Sequence, residues 1–222
     1  MIAISETIRE KISGLQFGLL KADNTKIVDD DPHFEKTLDE LTQYLITKFN
    51  RKRPSEEEII SHVRRMYRRI GWEPTRYRPS SEALVRRILK GKGLYRINNL
   101  VDYGNIVSAR FHLPMGLYDF EKIRGKAVFD VGRSGESYQG ISKELIHAEG
   151  KLILRDDEGI FGNPTADSLR TAITGQTRFA LAVFFCPPEV RRNYLQTALE
   201  TLESYYHNSA NPDHIELSIL QP

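Results

Sequence analysis

RPSSEALVRRILKGKGLYRINNLVDYGNIVSARFHLPMGLYD, residues 78–119, passes from a basic helical pattern through a glycine-rich turn into an apolar segment, and closes on a Pro, Gly and Asp turn. Ser81 to Lys90 reads as a helix ended by Gly91, with Leu84, Ile88 and Leu89 inward and Arg86 and Arg87 beside them. The apolar segment that follows is interrupted by Asp102, Asn105 and Ser108. Polar groups in such a stretch need partners. Either they are capped and hydrogen-bonded within the fold, or they line a pocket whose ligand completes them.

Upstream of this block the chain reads as helical. Ser5 to Ile12 forms a short helix, Leu15 to Lys21 a candidate strand, and Pro32 to Phe49 an amphipathic helix with Phe34, Leu38, Leu41, Leu45 and Phe49 on one face. A basic helix follows, in which Ser55 and Glu58 have capping-box spacing and Gly71 is a natural stop. Ile59, Ile60, Val63, Met66, Tyr67 and Ile70 face inward, which leaves Arg64, Arg65, Arg68 and Arg69 outside. Trp72 and Tyr77 lie among arginines and could stack on bases, although packing is the simpler role for Trp72.

The second half changes period. Ala127, Phe129 and Val131 alternate, as do Leu152 with Leu154, and Ile215, Leu217 and Ile219, while Arg178 to Phe185 is a continuous apolar strand. A long helix from Pro187 to Tyr206 precedes the last of these. Strands joined by short Gly and Asp turns, without regular helical crossovers, predict an α+β fold. Its sheets should be mostly antiparallel and packed with helices.

With 222 residues the chain can bury roughly 70 to 75% of its unfolded surface without staples. The lone Cys186 excludes an internal disulfide and a cysteine-based zinc site, and reads as a small buried hydrophobe. The start, MIAISETIREK, lacks a basic, apolar signal and no segment approaches a membrane span, so a cytoplasmic protein is expected. Net charge is only +2, but residues 51–96 carry 14 Lys or Arg against 5 Asp or Glu, and the rest carries 18 against 25. Basic charge so concentrated suits an anionic partner, or else a solvated helix face.

Familiar catalytic signatures are missing. Gly91 to Gly93 is no phosphate-binding loop, Val131 to Ser137 has no nucleophile-elbow spacing, and the 6 histidines show no ligand spacing, so neither metal nor cofactor is expected. His112 reads first as structural. Two polar clusters remain. One is Asp102, Gly104, Asn105 and Ser108 with Gly116, Tyr118 and Asp119; the other runs from Gly162 through Asn163, Thr165, Asp167, Ser168, Arg170 and Thr171 to Thr177. Glycines let a ligand approach the backbone, and Asn, Ser and Thr supply neutral donors and acceptors. Turn chemistry and helix capping would suffice for Asp119, Asp167 and Ser168 individually.

INNLVDYGNIV, residues 97–107, and PMGLYDFEKIRG, residues 114–125, resemble the editing domain of the bacterial phenylalanyl-tRNA synthetase beta subunit, the fused third and fourth modules also called its tRNA-binding domain. The likeness continues in spacing through Gly135 to Tyr138, the strand near Leu152, the Gly159 to Gly162 turn and Thr177. It implies one editing-type domain over residues 1–222, most family-like over 80–187, with an N-terminal extension over 1–79 and a closing helix and strand over 188–222. The implied activity is hydrolysis of a mischarged aminoacyl-tRNA ester, and the implied partner is tRNA or aminoacyl-tRNA. Its chemistry needs an ordered water, backbone donors and the terminal ribose hydroxyl rather than a triad.

Carried over by position, the family's Thr-Asn pair falls on Gly104 and Asn105, the His of its PLHAFD turn on Gly116, and the Glu that reads a tyrosine hydroxyl near Thr171. Arg170 would bring positive charge towards an anionic group of the ligand, and Ser108 and Tyr118 complete the implied substrate-binding set. Arg64, Arg65, Arg68, Arg69, Arg86 and Arg87 form the implied nucleic-acid surface. The alternative is a non-catalytic module of the same fold that binds RNA or an amino-acid-like ligand.

Overall fold

The computed structural model describes residues 2–142 and 144–222. In chain order the elements are β1 (Ile2–Ile4), α1 (Glu6–Lys11), β2 (Gln16–Asp23), α2 (Phe34–Lys48), α3 (Glu58–Arg69), α4 (Ser80–Leu89), α5 (Asn99–Phe111) and β3 (Met115–Asp119). There follow β4 (Ala127–Val131), β5 (Ser137–Gln139), β6 (Leu145–His147), β7 (Leu152–Asp156), β8 (Gly159–Gly162), β9 (Ala180–Cys186), α6 (Arg192–Ala210) and β10 (His214–Leu220).

The strands make a four-stranded sheet β10-β2-β9-β3, a second four-stranded sheet β1-β4-β7-β8, and the β5-β6 ribbon. Every pairing is antiparallel except β1 with β4. The α+β, mostly antiparallel expectation therefore holds.

One face of the first sheet carries α6. Gly18 of β2 permits this, since a Cβ there would stand 2.8 Å from Leu195 Cδ1 of the helix. The opposite face meets the second sheet, where Phe17 stacks on Phe129 with ring centroids 3.5 Å apart and Phe185 packs edge-on to both. Covered on both sides, β9 is buried along its whole length, which is why its sequence is apolar without alternation. One contiguous core links these strands to α1 through α6.

Several boundaries differ from the sequence reading. Pro54 opens a 3-10 turn over Pro54–Glu56, so Ser55 does not cap α3; the Glu57 side chain does, accepting from Ile60 N–H at 2.9 Å. The last helix begins at Arg192, because Pro187 to Val190 is spent on a turn, and runs on to Ala210, where Asn211 takes the left-handed C-terminal position at φ 41°. β1 was not foreseen. Three residues are too short to show a period, and pairing with β4 alone makes them a strand. The interrupted apolar segment is α5, capped by the Asn98 side chain on Val101 N–H at 3.1 Å and ended by His112 at φ 59°.

Candidate functional site

The polar interruptions of α5 go to different places. Asp102 is buried and ties down the preceding loop: one carboxylate oxygen accepts from Ile97 N–H at 2.9 Å, the other from Arg96 Nε at 3.2 Å. Burial raises its carboxyl above the ordinary range, against the pull of those two donors. Ser108 Oγ donates to Leu113 O at 2.8 Å, which closes the α5 to β3 turn. Gly104 gives room to the Met115 methyl and the Tyr206 hydroxyl. Asn105, by contrast, lines a cavity, and its side-chain amide has no hydrogen-bond partner among the described residues.

This cavity, of about 140 Å³, lies between α5, β3 and the chain after β8. Ile97, Val101, Met115, Leu117, Ile141, Ala172 and Ile173 make its apolar wall, and Asn105 and Asp167 its polar groups. Asp167 belongs to the second polar cluster, where turn chemistry alone would have sufficed for it. The turn is real, but other groups make it: Asn163 Oδ1 accepts from Thr165 and Ala166 N–H at 2.8 and 3.0 Å, the Tyr138 hydroxyl donates to Ala166 O at 2.6 Å, and the Tyr67 hydroxyl donates to Pro164 O at 3.0 Å. The segment is held by its own Asn163 and clamped by two tyrosines from elsewhere in the fold.

Asp167 is thus free to reach the open edge of β3, where Oδ2 accepts from Leu117 N–H at 3.1 Å. Oδ1 and the neighbouring Tyr118 hydroxyl are both enclosed, and among the described residues neither has a well-directed partner. Burial pushes the Asp167 carboxyl up to about 7, outweighing the stabilising Tyr118 and Leu117 groups; the Tyr118 phenol is raised well above its usual range by burial and by Asp167.

Gly116 sits between them. A Cβ there would lie 2.6 Å from Tyr118 Cζ and 2.8 Å from Asp167 Oδ1, and the Tyr118 ring, also pressed against Gly162, has nowhere to retreat. Tyr118 occupies the space that a larger residue 116 would need. Gly116→Ala is expected to cost about 1–3 kcal/mol in urea unfolding through overpacking. An unchanged midpoint would show that Tyr118 can swing aside.

The structure does not bring Arg170 or Thr171 to this cavity. Arg170 pairs with the buried Asp156 at 2.8 Å and with Glu158 at 3.3 Å, and also donates to Lys122 O, while the buried Thr171 donates to Phe161 O. Asp119 is likewise occupied, accepting from Thr177 Oγ1 at 2.8 Å. His112 is buried against Phe49, and desolvation lowers it to about 4, so it is neutral at ordinary pH.

Most of the foreseen arginines are engaged with acids. Glu82, with no side-chain exposure, holds Arg64 at 2.9 Å and Arg86 at 2.8 Å, with Arg78 at 3.9 Å; Arg65 and Arg69 face Glu189, and Arg68 faces Glu73. Arg87 instead lies 3.8 Å over the ring of Tyr95. Trp72 is buried and stacks on Tyr67.

Layered sheets, helices on the outer faces and a small cavity lined by an amide and a half-buried carboxylate side chain describe an α+β domain. Among the described residues no group of His, Cys, Asp and Glu could hold a metal ion, and no helix is long and apolar enough to cross a membrane.

The B3/4 domain family matches residues 62–216. Phenylalanine–tRNA ligase beta subunits are similar: that of Fusobacterium nucleatum is 27% identical over 141 residues, 59% of this chain and 17% of that protein. The Neisseria meningitidis serogroup B subunit is 25% identical over 112 residues, 50% of this chain and 14% of that protein. The chain therefore spans less than a fifth of the length of these curated relatives. A solved N-terminal fragment of the phenylalanyl-tRNA synthetase beta subunit from Pyrococcus horikoshii covers 100% of this chain and 54% of its own, at 11% identity and a TM-score of 0.48. The chain belongs to the B3/4 domain family, and its likeness to the synthetase beta subunit is borne out.

Proposed function

We propose that this domain receives the amino-acid end of an aminoacyl-tRNA in the cavity beside Asn105 and Asp167, and hydrolyses esters whose amino acid is wrong for the tRNA. The observation that carries this reading is the position of the cavity: within the family-matched span, on the very helix and strand that bear the synthetase-like segments. At about 140 Å³ it is smaller than the ~300 Å³ at which drug-sized sites begin, and suits one side chain. Apolar walls take the body of that side chain. Asn105 offers both a donor and an acceptor at the cavity wall, so a ligand carrying a hydroxyl or an amine is favoured over an apolar isostere.

In the reaction water adds to the ester carbonyl, the bond to the ribose oxygen breaks, and that oxygen leaves with a proton as the tRNA's terminal hydroxyl. Placement in the cavity and backbone donors would supply the acceleration, as among the described residues no nucleophile with its base lines it. The test is release of free amino acid from a panel of mischarged tRNAs. The wild-type domain should accelerate release from at least one, and Asn105→Ala should lose about 10- to 100-fold of that rate. No acceleration on any member would refute the deacylase. One observation favours a non-catalytic binding module instead: Tyr118 takes the space a side chain at 116 would need, the position to which the resemblance assigns the family's His. Saturable amino-acid binding without turnover would establish that reading.

A further inference from the structure

The segment between α4 and α5 is held like a strap. Leu94 is buried, and Arg96 is fixed by Asp30 at 2.9 Å, by Glu35, and by Asp102 at 3.2 Å, with its guanidinium 4.5 Å over Phe34. Asp102 also takes the Ile97 N–H. Between and beyond these anchors, Tyr95 and Ile97 are turned outward, 58% and 51% exposed. Tyr95 and Ile97 therefore stand in water on a segment anchored at Leu94, Arg96 and the Ile97 N–H.

Each lies on a different concavity. Ile97, with the 53% exposed Ile141, is at the mouth of the Asn105–Asp167 cavity. Tyr95 borders a groove of about 330 Å³ whose other walls include Arg78, Arg86, Arg87, Lys90 and Lys92. Glu82 offsets Arg78 and Arg86, but among the described residues Arg87, Lys90 and Lys92 have no carboxylate partner, and Arg87 Nε has no hydrogen-bond partner. Charge and aromatic surface therefore meet on α4 and the strap, two residues from the cavity mouth, rather than on α3, whose arginines face acids.

We propose that the groove of Arg87, Lys90, Lys92 and Tyr95 is a track for single-stranded RNA, with one base stacked on the outer face of Tyr95 and the 3′ end led past Ile97 into the cavity. The inference rests on the aminoacyl-tRNA reading for the direction of the strand, but not for the binding itself. Arg87 lies on one side of a ring that remains 58% exposed, and adds positive charge to the stack. Basic side chains along a backbone track and an aromatic platform for bases are what single-stranded binding requires. Duplex RNA, whose bases are already stacked, cannot use Tyr95.

The test is equilibrium binding of a labelled single-stranded RNA of about 12 nucleotides. Tyr95→Ala should weaken binding about 5- to 100-fold and Tyr95→Phe should restore it. Lys90→Ala with Lys92→Ala should reduce the slope of log affinity against log salt by about 1 to 2. A Tyr95→Ala protein that binds as wild type, an unchanged salt slope, or equal competition by duplex RNA would overturn the track. Asp167→Asn alters the cavity and no residue of the groove, so a single-stranded RNA without an esterified amino acid should bind the variant as it binds wild type. Loss of ester hydrolysis with normal RNA binding would thus indict the cavity, and the converse the track.

Discussion

Asp167→Asn is expected to stabilise the protein at pH 8 by about 2–4 kcal/mol, to leave its stability unchanged at pH 4, and to abolish selective handling of the ligand. The sign follows from a folded pKa raised from 3.8 to about 7. Below about pH 4 both folded and unfolded chains hold the proton, and burial of the neutral carboxyl carries no ionic penalty. As pH rises the unfolded carboxyl ionises first, so folding loses about 1.4 kcal/mol per unit until the folded group ionises too, near pH 7. Asparagine has no such penalty. Its carbonyl can keep the Leu117 N–H, and its amide can donate to the Tyr118 hydroxyl that now lacks a partner. Urea unfolding across pH 4 to 8.5 checks this. A gain equal at both ends, or a loss at pH 8, would mean that the ionised form is held by a partner and that the carboxyl is not an unspent group. A stabilising substitution that removes function is the mark of a residue kept for its ligand rather than for the fold.

The opposite outcome is expected at Glu82. Glu82→Leu should cost about 3–5 kcal/mol at neutral pH, because it strands the Arg64 guanidinium, only 14% exposed, without a counter-charge. Arg86 and Arg78 lose the same anchor but lie nearer to solvent, at 34% and 45% exposure. The double variant Glu82→Leu, Arg64→Met should recover most of the loss, since an apolar pair of similar volume replaces the buried ions. Both are read by urea unfolding. A single-variant cost below ~1 kcal/mol would show that Arg64 escapes to water, in which case α3 does offer it to a nucleic acid. Glu82 thereby decides which cations of the basic stretch are available, and its position inside a run of arginines conceals this.

Local patterns were legible wherever one element carries its own reason. The periods of α2, α3 and α4, the Gly71 and Gly91 stops, and the uninterrupted apolar run of β9 all depend on neighbours in sequence or on burial of a whole strand. The candidate site was legible only in part. Asn105 lies in the cavity and Gly116 between Tyr118 and Asp167, but Ser108 and Thr171 satisfy backbone carbonyls, and Arg170 is matched to Asp156 across the β7–β8 turn. Asp167 stands in the second polar cluster but also looks like a turn residue, and nothing in sequence shows that Asn163, Tyr138 and Tyr67 make the turn in its place.

By itself, then, the sequence determined an α+β domain with antiparallel strands, a concentration of basic charge between residues 51 and 96, and kinship with the synthetase beta subunit, for these rest on periodicity, composition and short ordered motifs. Which charges are spent and which polar atoms remain free depends on how distant segments pack together. The worth of Arg64 is set by Glu82, and that of Asp167 by the tyrosines and Asn163 around it. A charge or carboxyl takes its energy from burial and partners, and those come from segments far apart in the chain.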